Sequence, residues 1–215
     1  MMDAAILPVK RLDVAKSRLS PELTAEQRRR VAGALFEDAL ALCRSTNFLQ
    51  WWVVSDDPYV LGRADAESFG TVPDPGGGLN PALAAAIATA TQAGATSVTI
   101  VPADTPLVWK GDLQDLLDTG ATSDVVAVPS GADGGTNALY LAPPTLIEPQ
   151  FGPGSLQAHI KLAELKGHRC SVLAMPRFAL DLDTAEDARA LIAKPPQDHD
   201  GATLRLLREL LREAG

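Results

Sequence analysis

The chain has 215 residues, 46% of them hydrophobic, and a formal net charge of -8. That length and apolar content fit one sizeable α/β domain with a substantial core. The acidic balance disfavours general nucleic-acid binding, and no run reaches the ~18 uninterrupted apolar residues of a membrane helix.

Ala4 to Pro8 reads as a first strand, and Asp3 before it puts an acid where a signal peptide would carry cations. Lys10, Arg11, Lys16 and Arg18 follow directly. Thr24 to Arg44 reads as a long helix, with Thr24 as N-cap, Gln27 completing a capping box, and Val31, Leu35, Ala39 and Leu42 as the buried stripe. Trp51 to Ser55 is the next strand, Pro58 to Phe69 a helix and Thr71 to Pro73 a short strand. Gly76-Gly77-Gly78 opens an alanine-rich helix from Leu79 to Ala93. Ser97 to Val101 is a β-branched central strand, Lys110 to Asp118 a short helix and Asp124 to Val128 a strand. Ala138 to Leu141 reads as a strand after a glycine-rich turn, and Ser155 to Lys166 as a helix. Cys170 to Leu173 and Phe178 to Leu182 read as extended runs, and Thr184 with Asp187 caps a helix from Ala185 to Ile192. Strand–helix alternation predicts a mixed, mostly parallel sheet sandwiched by helices. Residues 1–193 form the predicted domain and 194–215 a linker and C-terminal helix. Leu204, Leu207 and Leu211 stripe that helix, which docks on the parent domain or, alternatively, on a second copy. Cys43 and Cys170 are too few for a disulfide framework and lack metal-ligand spacing, so a cytoplasmic protein with two structural thiols is expected.

Chemistry concentrates at three places. Asp104 follows the central strand in V-P-A-D-T-P-L, and the carboxyl ends of strands are where open α/β sheets bind ligands. Asp181 and Asp183, two apart on a predicted extended run, point to one side, with Leu180 and Leu182 to the other. With Asp104 they supply enough carboxylates for one or two Mg2+ ions beside a nucleotide, whereas alone each could be a turn or helix-cap residue. The third place is the cationic loop at residues 10–18, a natural grip for phosphates after strand one, against the alternative of a solvated charged loop. No Walker A or Gly-x-Gly-x-x-Gly pattern is present, and no nucleophile elbow. Gly134-Gly135-Thr136-Asn137 offers an anion a turn rich in N–H groups, and Phe151-Gly152-Pro153-Gly154-Ser155 precedes a helix N-terminus, with Ser155 as a candidate cap. Asn80 either reads a base edge or caps its helix. His159, His168 and His199 lie at no metal spacing, so a reaction needing no general base fits best, such as attack of an ionised phosphate on a nucleoside triphosphate.

P-V-K-R-L-D-V-A-K-S-R-L (8–19), L-N-P-A-L (79–83), P-A-D-T-P-L (102–107), G-G-T-N-A-L (134–139), F-G-P-G-S-L-Q-A-H (151–159) and D-L-D-T-A-E-D (181–187) together resemble the 2-phospho-L-lactate guanylyltransferase family of coenzyme F420 biosynthesis. The resemblance spans the chain to about Leu191 and implies a GT-A-like, Rossmann-like nucleotidyltransferase fold. It implies transfer of GMP from GTP to a small phosphorylated acid, with pyrophosphate released. The acceptors it implies are 2-phospho-L-lactate, phosphoenolpyruvate or 3-phospho-D-glycerate. The resemblance further implies that Asp104, Asp181 and Asp183 hold magnesium and, with Lys16, carry catalysis. It places Pro8, Lys10, Lys16, Arg18, Asn80, Pro102 and Asp104 on the nucleotide, and Thr136, Asn137, Gly152 and Ser155 on the acceptor. His159 falls in the pattern without a role, and a homodimer is suggested. The chain lacks the L-x-A-G-G-x-G-T-R-M loop of sugar nucleotidyltransferases and molybdenum-cofactor relatives, which argues against those branches. Another nucleotidyltransferase of the same fold, or a non-catalytic nucleotide binder, is the competing reading.

Overall fold

A computed structural model of the chain describes residues 2–131, 134–193 and 200–213. Residues 194–199, which include His199 and most of the predicted linker, lie outside the described residues. In chain order the elements are β1 (Asp3–Pro8), α1 (Ala25–Ser45), β2 (Gln50–Ser55), α2 (Pro58–Ala66), β3 (Gly70–Pro73), α3 (Leu79–Gln92), β4 (Ser97–Ile100), α4 (Lys110–Gly120), β5 (Val125–Pro129), β6 (Thr136–Leu141), α5 (Ser155–Leu165), β7 (Cys170–Val172), α6 (Ala185–Ala193) and α7 (Ala202–Glu213).

The seven strands form one sheet in the order β3-β2-β1-β4-β6-β5-β7. β6 runs antiparallel to β4 and β5, and the remaining pairs are parallel. Alternate strand residues feed opposite faces, as a period of two requires. Ala5, Leu7, Trp51, Val53, Val126 and Val128 pack under α1, α2 and α4. Ala4, Ile6, Trp52, Val54, Val98 and Ile100 pack under α3 and α5. Both sheet faces are thus covered, which is why the strands read as continuous apolar runs.

α1 begins with the predicted capping box: Thr24 Oγ1 accepts from Gln27 N, and Gln27 Oε1 accepts from Thr24 N. α7 packs on α1 and α6 through Leu204, Leu207 and Leu210. Leu210 takes the place expected for Leu211, which is only partly buried. Asp38 of α1 caps α7 by accepting from Ala202 N at 2.7 Å and Thr203 N at 2.9 Å, and Arg30 pairs with Glu209. The leucine stripe is therefore used within the chain, so it no longer speaks for a dimer.

Phe178–Leu182 is not an extended strand. Residues 176–179 form a turn and 180–183 run irregularly into α6. Leu182 N donates to the Asp104 carbonyl at 2.9 Å, so one hydrogen bond replaces a ladder. Leu182 is fully buried among the α1, α6 and α7 leucines, and Leu180 packs against the same cluster.

The chain passes outward from β1 to β3, then returns to place β4 on β1's other side. Strand order reverses at β1 and β4, and a crevice opens beyond their carboxyl ends.

Candidate active site

A cleft of about 660 Å³ lies at that switch point. Its floor is Pro8 and Val9 at the end of β1, and Pro102, Ala103 and Asp104 after β4. Residues 10–18 form one wall, and Gly78, Leu79 and Ala82 at the start of α3 form the other. Asp56 and Asp74, just past the ends of β2 and β3, also line it. Pro8, Lys10, Lys16, Arg18, Pro102, Asp104 and Asp183 therefore meet in one cavity.

Lys16 is the hub. Its Nζ donates to Asp104 Oδ2 and to Asp183 Oδ1, each at 3.0 Å, and its side chain is only 9% exposed. Burial alone would lower its pKa, but the two carboxylates outweigh burial and raise it above the ordinary lysine value. The residue adopts φ 58, ψ 36, a left-handed conformation costly for a side chain with a Cβ. Arg18 Nη1 reaches Asp183 Oδ2 at 3.3 Å while staying largely exposed. Lys10 stands exposed at the rim, and Arg11 pairs outward with Asp13.

Thr184 and Asp187 cap α6 between them. Asp187 Oδ2 accepts from Asp183 N, Thr184 N and Thr184 Oγ1. The Asp183 carboxylate is consequently not a cap and faces Lys16 and Arg18. Asp181 has its pKa raised by burial first, then by the carboxylates of Asp104, Asp183 and Asp187. Negative charge thus exceeds what two nearby cations neutralise.

Among the described residues no three carboxylate, thiol or imidazole groups are arranged as a ready-made metal cage. Asp104 and Asp183 are bridged by an ammonium instead. Mg2+ seldom uses a full protein cage and completes its shell with phosphate oxygens and water. Asp104 and Asp183 offer the cleft hard oxygen donors of the kind such a cation takes, whereas Asp181 does not line it.

The predicted acceptor residues assemble around α5. Gly154, at φ 72, is the N-cap, so Ser155 does not cap. Its Oγ donates instead to Thr136 Oγ1 at 3.1 Å. Gly152 adopts φ 139, and Leu156 N donates to the Gly134 carbonyl at 3.2 Å, tying the two glycine-rich loops together. Two of the predicted side chains hydrogen-bond backbone groups of distant segments. Asn80 pins Phe151 through both amide arms, donating to its carbonyl at 3.2 Å and accepting from its N–H at 2.8 Å. It does not cap α3, whose N-cap is Gly78, and it does not line the cleft. Asn137 Nδ2 donates to the Phe178 carbonyl at 2.6 Å, which joins β6 to the segment carrying Asp181. Asp56, Asp74 and the His159 contacts escaped sequence reading, because no local spacing marks a carboxylate at a strand end as cleft-facing.

A switch-point cleft with a carboxylate cluster bridged by a buried lysine suits a nucleotidyltransferase, the class of the family to which the chain belongs. The fold agrees with solved structures. A crystal structure from Desulfovibrio desulfuricans G20 assigned to the nucleotide-diphospho-sugar transferases superposes with a TM-score of 0.81 at 18% identity, covering 100% of this chain and 99% of that one. A nucleotidyl transferase from Methanothermobacter gives 0.60 at 16% identity, covering 99% of each. At such identities the likeness shows fold alone. The chain belongs to the guanylyl transferase family described as CofC-like, whose model matches residues 3–210. It is 38% identical to a phosphoenolpyruvate guanylyltransferase of Conexibacter woesei, over 99% of this chain and 98% of that protein. It is 35% identical to a 2-phospho-L-lactate guanylyltransferase of Methanothermobacter thermautotrophicus, over 97% and 92%.

Proposed function

We propose that this protein transfers GMP from GTP to the phosphate of phosphoenolpyruvate, releasing pyrophosphate, as a step towards coenzyme F420. The observation that carries the choice of acceptor is near-full-length similarity to several phosphoenolpyruvate guanylyltransferases. The 2-phospho-L-lactate enzyme at 35% identity supports that acid as the second reading.

In this reading the triphosphate lies along residues 10–18. Lys10 and Arg18, both exposed, meet its outer oxygens, and Lys16 meets the oxygens nearest the carboxylates. The base sits between Leu12, Val14 and Leu79, where Asp56 and Asp74 can accept from the guanine N1–H and amino group. Carboxylates would otherwise repel a triphosphate, so two of them away from Asp104 favour a base edge rich in donors. The acceptor acid lies against Thr136, Gly152 and Ser155, at the N-terminus of α5, where helix N–H groups attract anions. Its phosphate is already ionised and attacks the α-phosphorus without a general base. Mg2+ held by Asp104, Asp181 and Asp183 would supply neutralisation of the charge that builds on the leaving pyrophosphate. Lys16 stays protonated because two carboxylates face it, so it can add a fixed positive charge there.

The test is pyrophosphate release from GTP and magnesium with phosphoenolpyruvate, 2-phospho-L-lactate or 3-phospho-D-glycerate, repeated with CTP, ATP and UTP. Release with GTP and phosphoenolpyruvate is expected. Release only with another nucleotide, or with none of the acids, refutes the reading.

A further inference from the structure

His159 is completely buried on α5, yet hydrogen-bonds at both ring nitrogens. Gln150 N lies 2.9 Å from Nε2, and a backbone N–H can only donate. Nε2 is therefore the acceptor. The buried ring is neutral, since desolvation pushes its pKa down to about 4. Its one proton thus sits on Nδ1, 3.0 Å from Thr136 Oγ1. Phe151 packs edge-on to the ring at 5.3 Å and holds its plane.

The consequence falls on Thr136. Its Oγ1 accepts from His159 Nδ1–H and from Ser155 Oγ–H, which fills both lone-pair directions. The Thr136 hydroxyl is itself 6% exposed as a residue, and its own proton has no acceptor among the described residues. A buried hydroxyl in that state is an obligate donor.

We propose that His159 is a positioning residue that fixes Thr136 as a hydrogen-bond donor to the anionic oxygen of the acceptor acid. The inference rests on the acceptor placement above. It makes the pocket selective for a carboxylate or phosphate oxygen, which only accepts, over an ester, amide or alcohol that also presents hydrogens or carries no charge. It also gives the Gln150 backbone a part: the backbone N–H sets the tautomer, and the tautomer sets the hydroxyl.

Two substitutions separate the ends of the ring. In His159→Asn the amide nitrogen falls near the Nδ1 position and can still donate to Thr136. In His159→Gln the amide reaches the Nε2 position and keeps Gln150, but abandons Thr136. Steady-state kinetics with phosphoenolpyruvate and GTP should show H159Q raising the KM for the acid about tenfold or more, as for a lost hydrogen bond to a charged group, with the KM for GTP unchanged. H159N should recover most of that loss. T136V should match H159Q, T136S should not, and the H159Q/T136V double variant should be no worse than T136V alone. Independent, multiplicative effects, or equal losses in H159N and H159Q, would overturn the assignment. Should a histidine variant fail to fold, 15N NMR of histidine-labelled wild type decides. A proton on Nδ1 supports the relay, and one on Nε2 contradicts it. Failure of the wild type to use any acid would instead remove the proposed function and leave the tautomer result standing.

Discussion

Replacing Lys16 by methionine keeps an unbranched apolar stem, one atom shorter, and removes the charge. In the wild type the ammonium touches two carboxylates at 3.0 Å each. At an effective dielectric constant of about 20 each contact carries about 5 kcal/mol of gross attraction. Most of that does not survive as net stability. Asp104 and Asp183 are 35% and 37% exposed, so water screens both pairs, and burying the lysine costs part of the remainder. A net loss of about 2 kcal/mol is the reasonable expectation, a melting point lower by roughly 4–8 °C for a domain of this size. Magnesium without nucleotide should then stabilise K16M more than the wild type, because its carboxylates no longer have a resident cation. Turnover should nevertheless fall at least ~100-fold, since a fixed charge beside the phosphates is lost. Differential scanning fluorimetry with and without magnesium, together with pyrophosphate release, reads all three effects. Wild-type turnover in K16M, or magnesium shifts equal in both proteins, would refute the central place given to Lys16.

Three further outcomes are expected. Asp104→Asn and Asp183→Asn should each lower turnover at least ~100-fold while retaining the fold by circular dichroism, and near-normal rates in both would place the metal elsewhere. Because the buried His159 ring protonates only near pH 4, the unfolded chain binds that proton more readily between about pH 6.5 and 4. Its contribution is complete above pH 6.5 and is lost as pH falls, by about 3 kcal/mol in total. Urea unfolding of wild type and H159N across that range should show a smaller fall in the variant, and parallel curves would show that His159 is not neutral in the fold. Asp38→Ala removes the acceptor for two N–H groups at the start of α7 and should cost about 1–2 kcal/mol without altering turnover, and a large loss of activity would show that α7 does more than buttress α1.

The regular elements were legible because each carries a local signal. Thr24 and Gln27 mark the start of α1, Val98 to Val101 are β-branched, and Gly78 precedes α3. Asp104 was legible for the same reason, standing just past a buried strand. What failed were readings that need a tertiary partner. Asp181 and Asp183 were expected on a strand by their spacing of two, yet that segment is irregular and is placed by the Leu182 bond to Asp104. The hydrogen bonds of Asn80 and Asn137 to the Phe151 and Phe178 backbone could not be read either, because those partners lie far away in sequence. Leu210 is buried in the α7 contact and Leu211 packs at its edge, a split that a stripe read from spacing alone does not resolve. His159 gave no spacing to read, since Thr136 and Gln150 reach it from different loops.

The account is tested most directly by 31P NMR of wild type and D104N incubated with GTP, magnesium and phosphoenolpyruvate. The wild type should yield pyrophosphate and a new diphosphate linkage joining GMP to the acid, and D104N almost none. Formation of GDP and inorganic phosphate, or the same product at the same rate in D104N, would contradict it.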